Sequence, residues 1–210
     1  MMNYPELFLS PAQPERNLLP YDGIVNDYGV IFPKQEADAY YACLKNTVLW
    51  RHDEVVIYGK RITTARQTAW YGDDSIQYAY SGITRTALPW NKVLLAIKET
   101  VERHIVGISP AHFNSCLLNL YRDGSEGMAW HCDDEASLGT NPVIASLSLG
   151  ATRKFSFKHK QTREKHDLML THGQLIVMHG VTQNHWLHAV MKSTKVHDPR
   201  INLTFRTICS

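Results

Sequence analysis

Nowhere in the 210 residues is there an apolar run of about 18 residues, the length a bilayer-spanning helix requires. Residues Met1 to Ser10 also lack the basic and apolar regions of a secretory signal. The expectation is a cytosolic protein, or a nuclear one in a eukaryote, with no membrane partner. Cysteine is scarce: Cys43, Cys116, Cys132 and Cys209 are the four present, and no two form a Cys-x-x-Cys pair. That excludes a disulfide framework and a Cys-rich zinc site, and predicts reduced thiols. There is no internal repeat, no low-complexity tract and no Gly-rich phosphate loop. Excess charge is missing too, since 22 basic and 20 acidic side chains leave only +2. A balance so small does not by itself argue for nucleic acid.

The charge is unevenly spread. Residues 1–50 carry 3 basic and 6 acidic side chains, and the remainder 19 and 14. The densest basic stretch holds Arg153, Lys154, Lys158, Lys160, Arg163 and Lys165, which reads as a solvated hairpin or as a surface open to phosphate.

At this length and 44% apolar composition the chain supports one domain, 1–210, with a single full-sized core. Residues 1–33 hold Pro5, Pro11, Pro14 and Pro20 and read as an N-terminal arm or extended lead-in. The spacing predicts a helix from Lys34 to Trp50, and a second after Trp90 with Val93, Ile97, Val101 and Ile105 on one stripe. Between them, Val55 to Tyr58, Gly59-Lys60 and Arg61 to Thr64 have the form of a hairpin. From Ser115 onward strand patterns dominate: 116–121, 143–149, 154–157, 167–170, 174–178 and 201–207. The class is mainly β with flanking helices (α+β), a sandwich or jelly roll.

His131 and Asp133 stand two residues apart, so on an extended strand end both point to one side and can chelate one metal. Among 11 histidines such a pair is also expected by chance, as part of a surface turn. A third ligand would come from His166, His172, His179, His185 or His188. If Trp186, His188 and Val190 share a strand face, His188 looks inward and His185 falls in the preceding turn. Two histidines and a carboxylate that leave one face of the metal open are the facial triad of non-haem Fe(II) oxygenases. The last strand alternates Arg200, Asn202, Thr204 and Arg206 with Ile201, Leu203, Phe205 and Thr207. Two guanidinium forks on one face suit a small dicarboxylate. They equally suit a solvated sheet face.

Asn119-Leu120-Tyr121, His131-x-Asp133, His188 and the closing Arg200-x-Asn202-Leu203-Thr204-Phe205-Arg206 together resemble the AlkB family of Fe(II)- and 2-oxoglutarate-dependent dioxygenases. The likeness runs from about Asp53 to the C-terminus. It implies a double-stranded β-helix, or jelly-roll, catalytic core over 115–210 and nucleotide-recognition hairpins with the helices over 34–114. By the same resemblance His131, Asp133 and His188 hold Fe(II), and Asn119, Tyr121, Arg200, Asn202 and Arg206 bind 2-oxoglutarate, with O2 as co-substrate.

Val56-Ile57-Tyr58-Gly59-Lys60, Arg66-Gln67, Tyr71-Gly72-Asp73 and Tyr78-Ala79-Tyr80-Ser81-Gly82 look most like the branch that repairs duplex DNA. The resemblance makes Tyr58, Arg66, Tyr78, Tyr80, Ser81 and Glu135 substrate residues. Tyr58 would fill the gap left by a flipped base, Tyr80 would stack on that base, and Glu135 would help select the lesion. The implied activity is oxidative demethylation of bases such as 1-methyladenine and 3-methylcytosine, by a monomer acting on single- or double-stranded DNA. In place of that branch's basic triplet after the last ligand stands Lys192-Ser193-Thr194-Lys195. An RNA or tRNA demethylase, or a non-catalytic metal-binding jelly roll, is the alternative.

Overall fold

In the computed structural model of the protein, residues 12–57, 60–73, 77–80, 83–105, 107–108 and 112–209 are described, with backbone alone at 55–57, 60–62, 77–80 and 83–85. The chain runs β1 (Ile24–Val30), α1 (Lys34–Thr47), β2 (Arg51–Ile57), β3 (Lys60–Gly72), β4 (Gln77–Tyr80), β5 (Ile83–Thr86), β6 (Leu88–Pro89) and α2 (Lys92–His104). It continues β7 (Ser115–Tyr121), β8 (Met128–His131), β9 (Ile144–Gly150), β10 (Arg153–His159), β11 (Lys165–Leu170), β12 (Gln174–His179), α3 (Thr182–His185), β13 (Trp186–Val190) and β14 (Arg200–Arg206). A major sheet has the order β1-β12-β9-β14-β7-β3-β2, with β6 beside β3; a minor sheet has the order β11-β10-β13-β8; β4 and β5 pair alone. Two sheets facing each other with antiparallel neighbours make the expected jelly roll.

Alternation along β14 builds both layers of the core. Ile201, Leu203 and Phe205 join Leu44 of α1, Leu94, Ile97 and Val101 of α2, and Leu118 and Leu147 of the neighbouring strands. Between the sheets, Tyr121, Ile144, Phe155, Phe157, Ile176 and Trp186 form a second cluster. The polar face of β14 points into this inter-sheet side. With the minor sheet packed over this side, Arg200, Asn202 and Thr204 are buried and need partners.

α2 starts where Asn91 accepts a hydrogen bond from the Leu94 N–H at 2.9 Å. α1 ends at Thr47 rather than Trp50, because Val48 turns extended (ψ 135) while its N–H still donates to Leu44. The expected hairpin forms as β2 and β3, paired up to Ile57↔Lys60. Within 1–33, residues Ile24–Val30 form the edge strand of the major sheet, bulged between Asp27 and Gly29. Gly29 takes φ 68 there, a conformation that favours glycine. All four cysteines are free, and burial pushes the Cys116 thiol well up, leaving it protonated and inert.

Candidate active site

β8 and β13 pair antiparallel with His131 opposite His188, their ring centroids 4.2 Å apart. The His131 Nδ1 lies 2.8 Å from the Ala129 carbonyl, which can only accept, so Nδ1 carries the proton and Nε2 keeps its lone pair. Past the end of β8 the Asp133 N–H donates to the buried Gln183 side chain at 2.9 Å, which fixes the carboxylate beside that Nε2 at 3.8 Å. The donor atoms of His131, Asp133 and His188 all lie within 4.8 Å of one another. Two imidazoles and a carboxylate in this arrangement fit an open-faced Fe(II) centre.

The electrostatics favour ligation. Burial alone would raise the Asp133 carboxyl, but Arg206 and the two imidazoles override it and hold the group well below the carboxylate range. Arg206 Nη2 donates to Asp133 Oδ2 at 2.7 Å, so the last strand of the major sheet reaches across to the ligand set. Burial, with His131 close by, pushes His188 down to about 3 against the pull of Asp133. Its imidazole is neutral at physiological pH, the form that binds metal. Phe155 stacks on it at 5.5 Å and keeps that side dry.

At the other end of β14's polar face Arg200 is 0% exposed. Its Nη2 donates to Ser148 Oγ at 2.8 Å and to Asn202 Oδ1 at 2.7 Å, whereas Nε and Nη1 have no partner. Burial brings its pKa down to about 10, so it remains a cation at neutral pH. No described carboxylate pairs with it. An unmatched buried cation costs several kcal/mol, and a small carboxylate that reached Nε or Nη1 would remove that cost; this donor set fits 2-oxoglutarate.

A cavity is lined by Asn119, Tyr121, His131, Asp133, Glu135, His188, Asn202 and Arg206 together with Asp53, Arg66, Trp70 and Met128, and Arg200 reaches it through Asn202. Asn119 accepts from Arg66 Nε at 2.8 Å, and burial raises the Tyr121 hydroxyl, keeping it a neutral donor. Glu135 Oε2 is buried without a partner.

Sequence comparisons agree with this geometry. The profile of the 2OG-Fe(II) oxygenase superfamily matches residues 28–206. Human DNA oxidative demethylase ALKBH2 is 37% identical over 198 residues, covering 89% of this chain and 74% of its own length. Human alpha-ketoglutarate-dependent dioxygenase alkB homolog 3 is 38% identical over 213 aligned residues, covering 97% of this chain and 70% of its own. The chain belongs to the AlkB family of 2OG-Fe(II) oxygenases. The solved structure of OsALKBH1 shares the fold, with a TM-score of 0.53 and 19% identity over 90% of this chain and 99% of that one.

In this AlkB member the fold brings together His131, Asp133, His188, Asn119, Tyr121, Asn202, Arg206, Arg66 and Glu135 around one cavity, with Arg200 behind Asn202. Tyr78 and Tyr80 lie on β4, their side chains outside the described residues; Tyr58 and Ser81 lie outside them altogether. Asp53, Trp70, Gln183 and Ser148 were not anticipated. Nothing local marks them, since they reach the site through the pairing of β2, β3 and β7, through α3 and through the β9–β14 register.

Proposed function

We propose that this AlkB family member is an Fe(II)- and 2-oxoglutarate-dependent DNA oxidative demethylase that acts on N-alkylated bases such as 1-methyladenine and 3-methylcytosine. His131, Asp133 and His188 are the iron ligands. Arg200 receives the distal carboxylate of 2-oxoglutarate, and Asn119, Tyr121, Asn202 and Arg206 surround the rest. The observation that carries the reading is Arg200, a fully buried cation with two nitrogens unpartnered on the strand whose far end touches Asp133. Such a residue is unfavourable in a purely structural jelly roll. The DNA assignment is supported by the likeness to human DNA oxidative demethylase ALKBH2.

Bound iron and 2-oxoglutarate supply the oxidation with O2: 2-oxoglutarate goes to succinate and CO2, and the hydroxylated N-methyl leaves as formaldehyde. The chain's own residues do the rest. Arg206 keeps Asp133 ionised, the Ala129 carbonyl fixes the His131 tautomer, and Phe155 excludes water from His188. The unpartnered Glu135 oxygen offers an acceptor to a base amino group, and its charge suits a cationic methylated base. Lesions on the pairing edge cost less to extrude than sound bases, so weak pairing contributes to their selection.

Anaerobic reconstitution with Fe(II) and 2-oxoglutarate, then exposure to air with methylated single- and double-stranded oligonucleotides, tests this by mass spectrometry. The expected result is demethylated DNA with matching succinate and formaldehyde. Demethylation of RNA alone would reject the DNA assignment, and succinate formation with no base product would reject the substrate class.

A further inference from the structure

A second cluster of metal-binding side chains lies away from the cavity. Asp22 precedes β1, His159 ends β10 and His185 ends α3, and their donor atoms all lie within 4.8 Å of one another. His159 is 1% exposed, and its Nε2 is buried without a hydrogen-bond partner, 3.4 Å from Asp22 Oδ2. Its ring is held edge-on against Tyr21 at 5.2 Å and Trp186 at 5.0 Å, so Nε2 has a fixed direction. The His185 ring lies parallel to it, 3° between planes and 6.2 Å between centroids. Asp22 occupies left-handed backbone (φ 50), which Asp and Asn adopt more readily than other non-glycine residues.

We infer that Asp22, His159 and His185 form a second metal site, suited to zinc(II), that ties the segment before β1 to the minor sheet. Imidazole and carboxylate ligation suits zinc, whose bonds of about 2.0–2.1 Å set neighbouring donors roughly 3.3 Å apart. Asp22 and His185 are partly exposed and free to close that gap, whereas His159 is the fixed anchor. Thr162 stands behind it: both its N–H and its Oγ1 are 3.1 Å from His159 Nδ1. The N–H favours a proton on Nε2. Zinc on Nε2 requires that proton to move to Nδ1, where Thr162 Oγ1, 2.9 Å from the Tyr21 hydroxyl, accepts it while the Thr162 N–H gives up Nδ1 as its acceptor. The tautomer of His159 is therefore a direct reporter of occupancy.

Metal-free full-length protein is dialysed against zinc, and bound zinc is counted by mass spectrometry. Wild type is expected to take two equivalents, one in each cluster, and His185→Gln and His131→Ala one each. Asp22→Asn, which keeps a side chain that tolerates left-handed backbone, should weaken the second equivalent at least tenfold. Nitrogen-15 spectra should show His159 passing from the Nε2-protonated to the Nδ1-protonated tautomer as the second equivalent binds. A single wild-type equivalent that is lost in His131→Ala, two tight equivalents in His185→Gln, an unchanged titration in Asp22→Asn or an unchanged His159 tautomer would overturn the assignment. Because His131→Ala keeps the second equivalent, these outcomes are separable from failure of the catalytic reading.

Discussion

Two clusters in this molecule hold the same three side chains, two imidazoles and a carboxylate, in settings that differ in almost every other respect. At His131, Asp133 and His188 the carboxylate side chain is 4% exposed, held by Arg206, and the donors face a cavity lined with polar groups. At Asp22, His159 and His185 the carboxylate side chain is 52% exposed and the buried member is an imidazole. The contrast separates binding a metal from using one. Burying an ionised carboxylate requires a compensating cation, and Arg206 supplies it; that arrangement leaves room for a reacting molecule. The exposed Asp22 needs no such partner and offers a tie between segments.

The comparison is broken most severely by His188→Ala. Loss of one of only three ligands should remove all measurable turnover while thermal unfolding stays cooperative. Retained turnover would mean that the buried cluster is not the catalytic one and would move the assignment toward His185 or His179. Next in size is Arg200→Ala. Losing one partner of a buried charged pair costs about 3–5 kcal/mol, or roughly a hundredfold or more in the 2-oxoglutarate requirement. Succinate production titrated against 2-oxoglutarate measures this, and an unchanged requirement would end the cofactor argument for β14. Smaller again is Arg206→Met. The ligands remain and only the group that orients Asp133 is lost, an effect of about 10–100-fold in iron affinity. Iron binding as tight as wild type would show that Asp133 holds its charge and position without help.

How far each cluster was legible in the sequence follows from the range of its interactions. β14 declared itself because strict alternation writes both faces of a strand into successive residues. The sequence did not show that its polar face is sealed from water, since that depends on the minor sheet packing over it. His188 stood out from the other histidines only through the period-2 face it shares with Trp186 and Val190. β1 escaped notice because the prolines before it and the Gly29 bulge interrupt its pattern. Asp22 and His159 gave no signal: the first sits in a bend before β1 and the second in a basic run, and only the packing of Tyr21 against His159 and Trp186 makes them neighbours. Gln183 is a similar case, a polar residue of a one-turn helix whose value lies in the Asp133 N–H it accepts.

The last difference between the clusters is access, and the smallest expected effect tests it. β3 carries Arg66 and Trp70 into the cavity wall, and β2 and β3 are paired as far as Ile57↔Lys60; Tyr58 follows Ile57 in the sequence and lies outside the described residues. By the family resemblance, Tyr58 would fill the gap in a duplex after a base has left it. Stacking a base on an aromatic ring is worth about 1–3 kcal/mol, and only a duplex must be kept from closing. Tyr58→Ala should therefore lower demethylation of double-stranded DNA by on the order of tenfold, the middle of that range, and leave the single-stranded rate nearly unchanged. Parallel rates on matched oligonucleotides decide the matter. Equal losses on both would make Tyr58 part of the general nucleic-acid surface or of the fold, and would end its duplex-specific role.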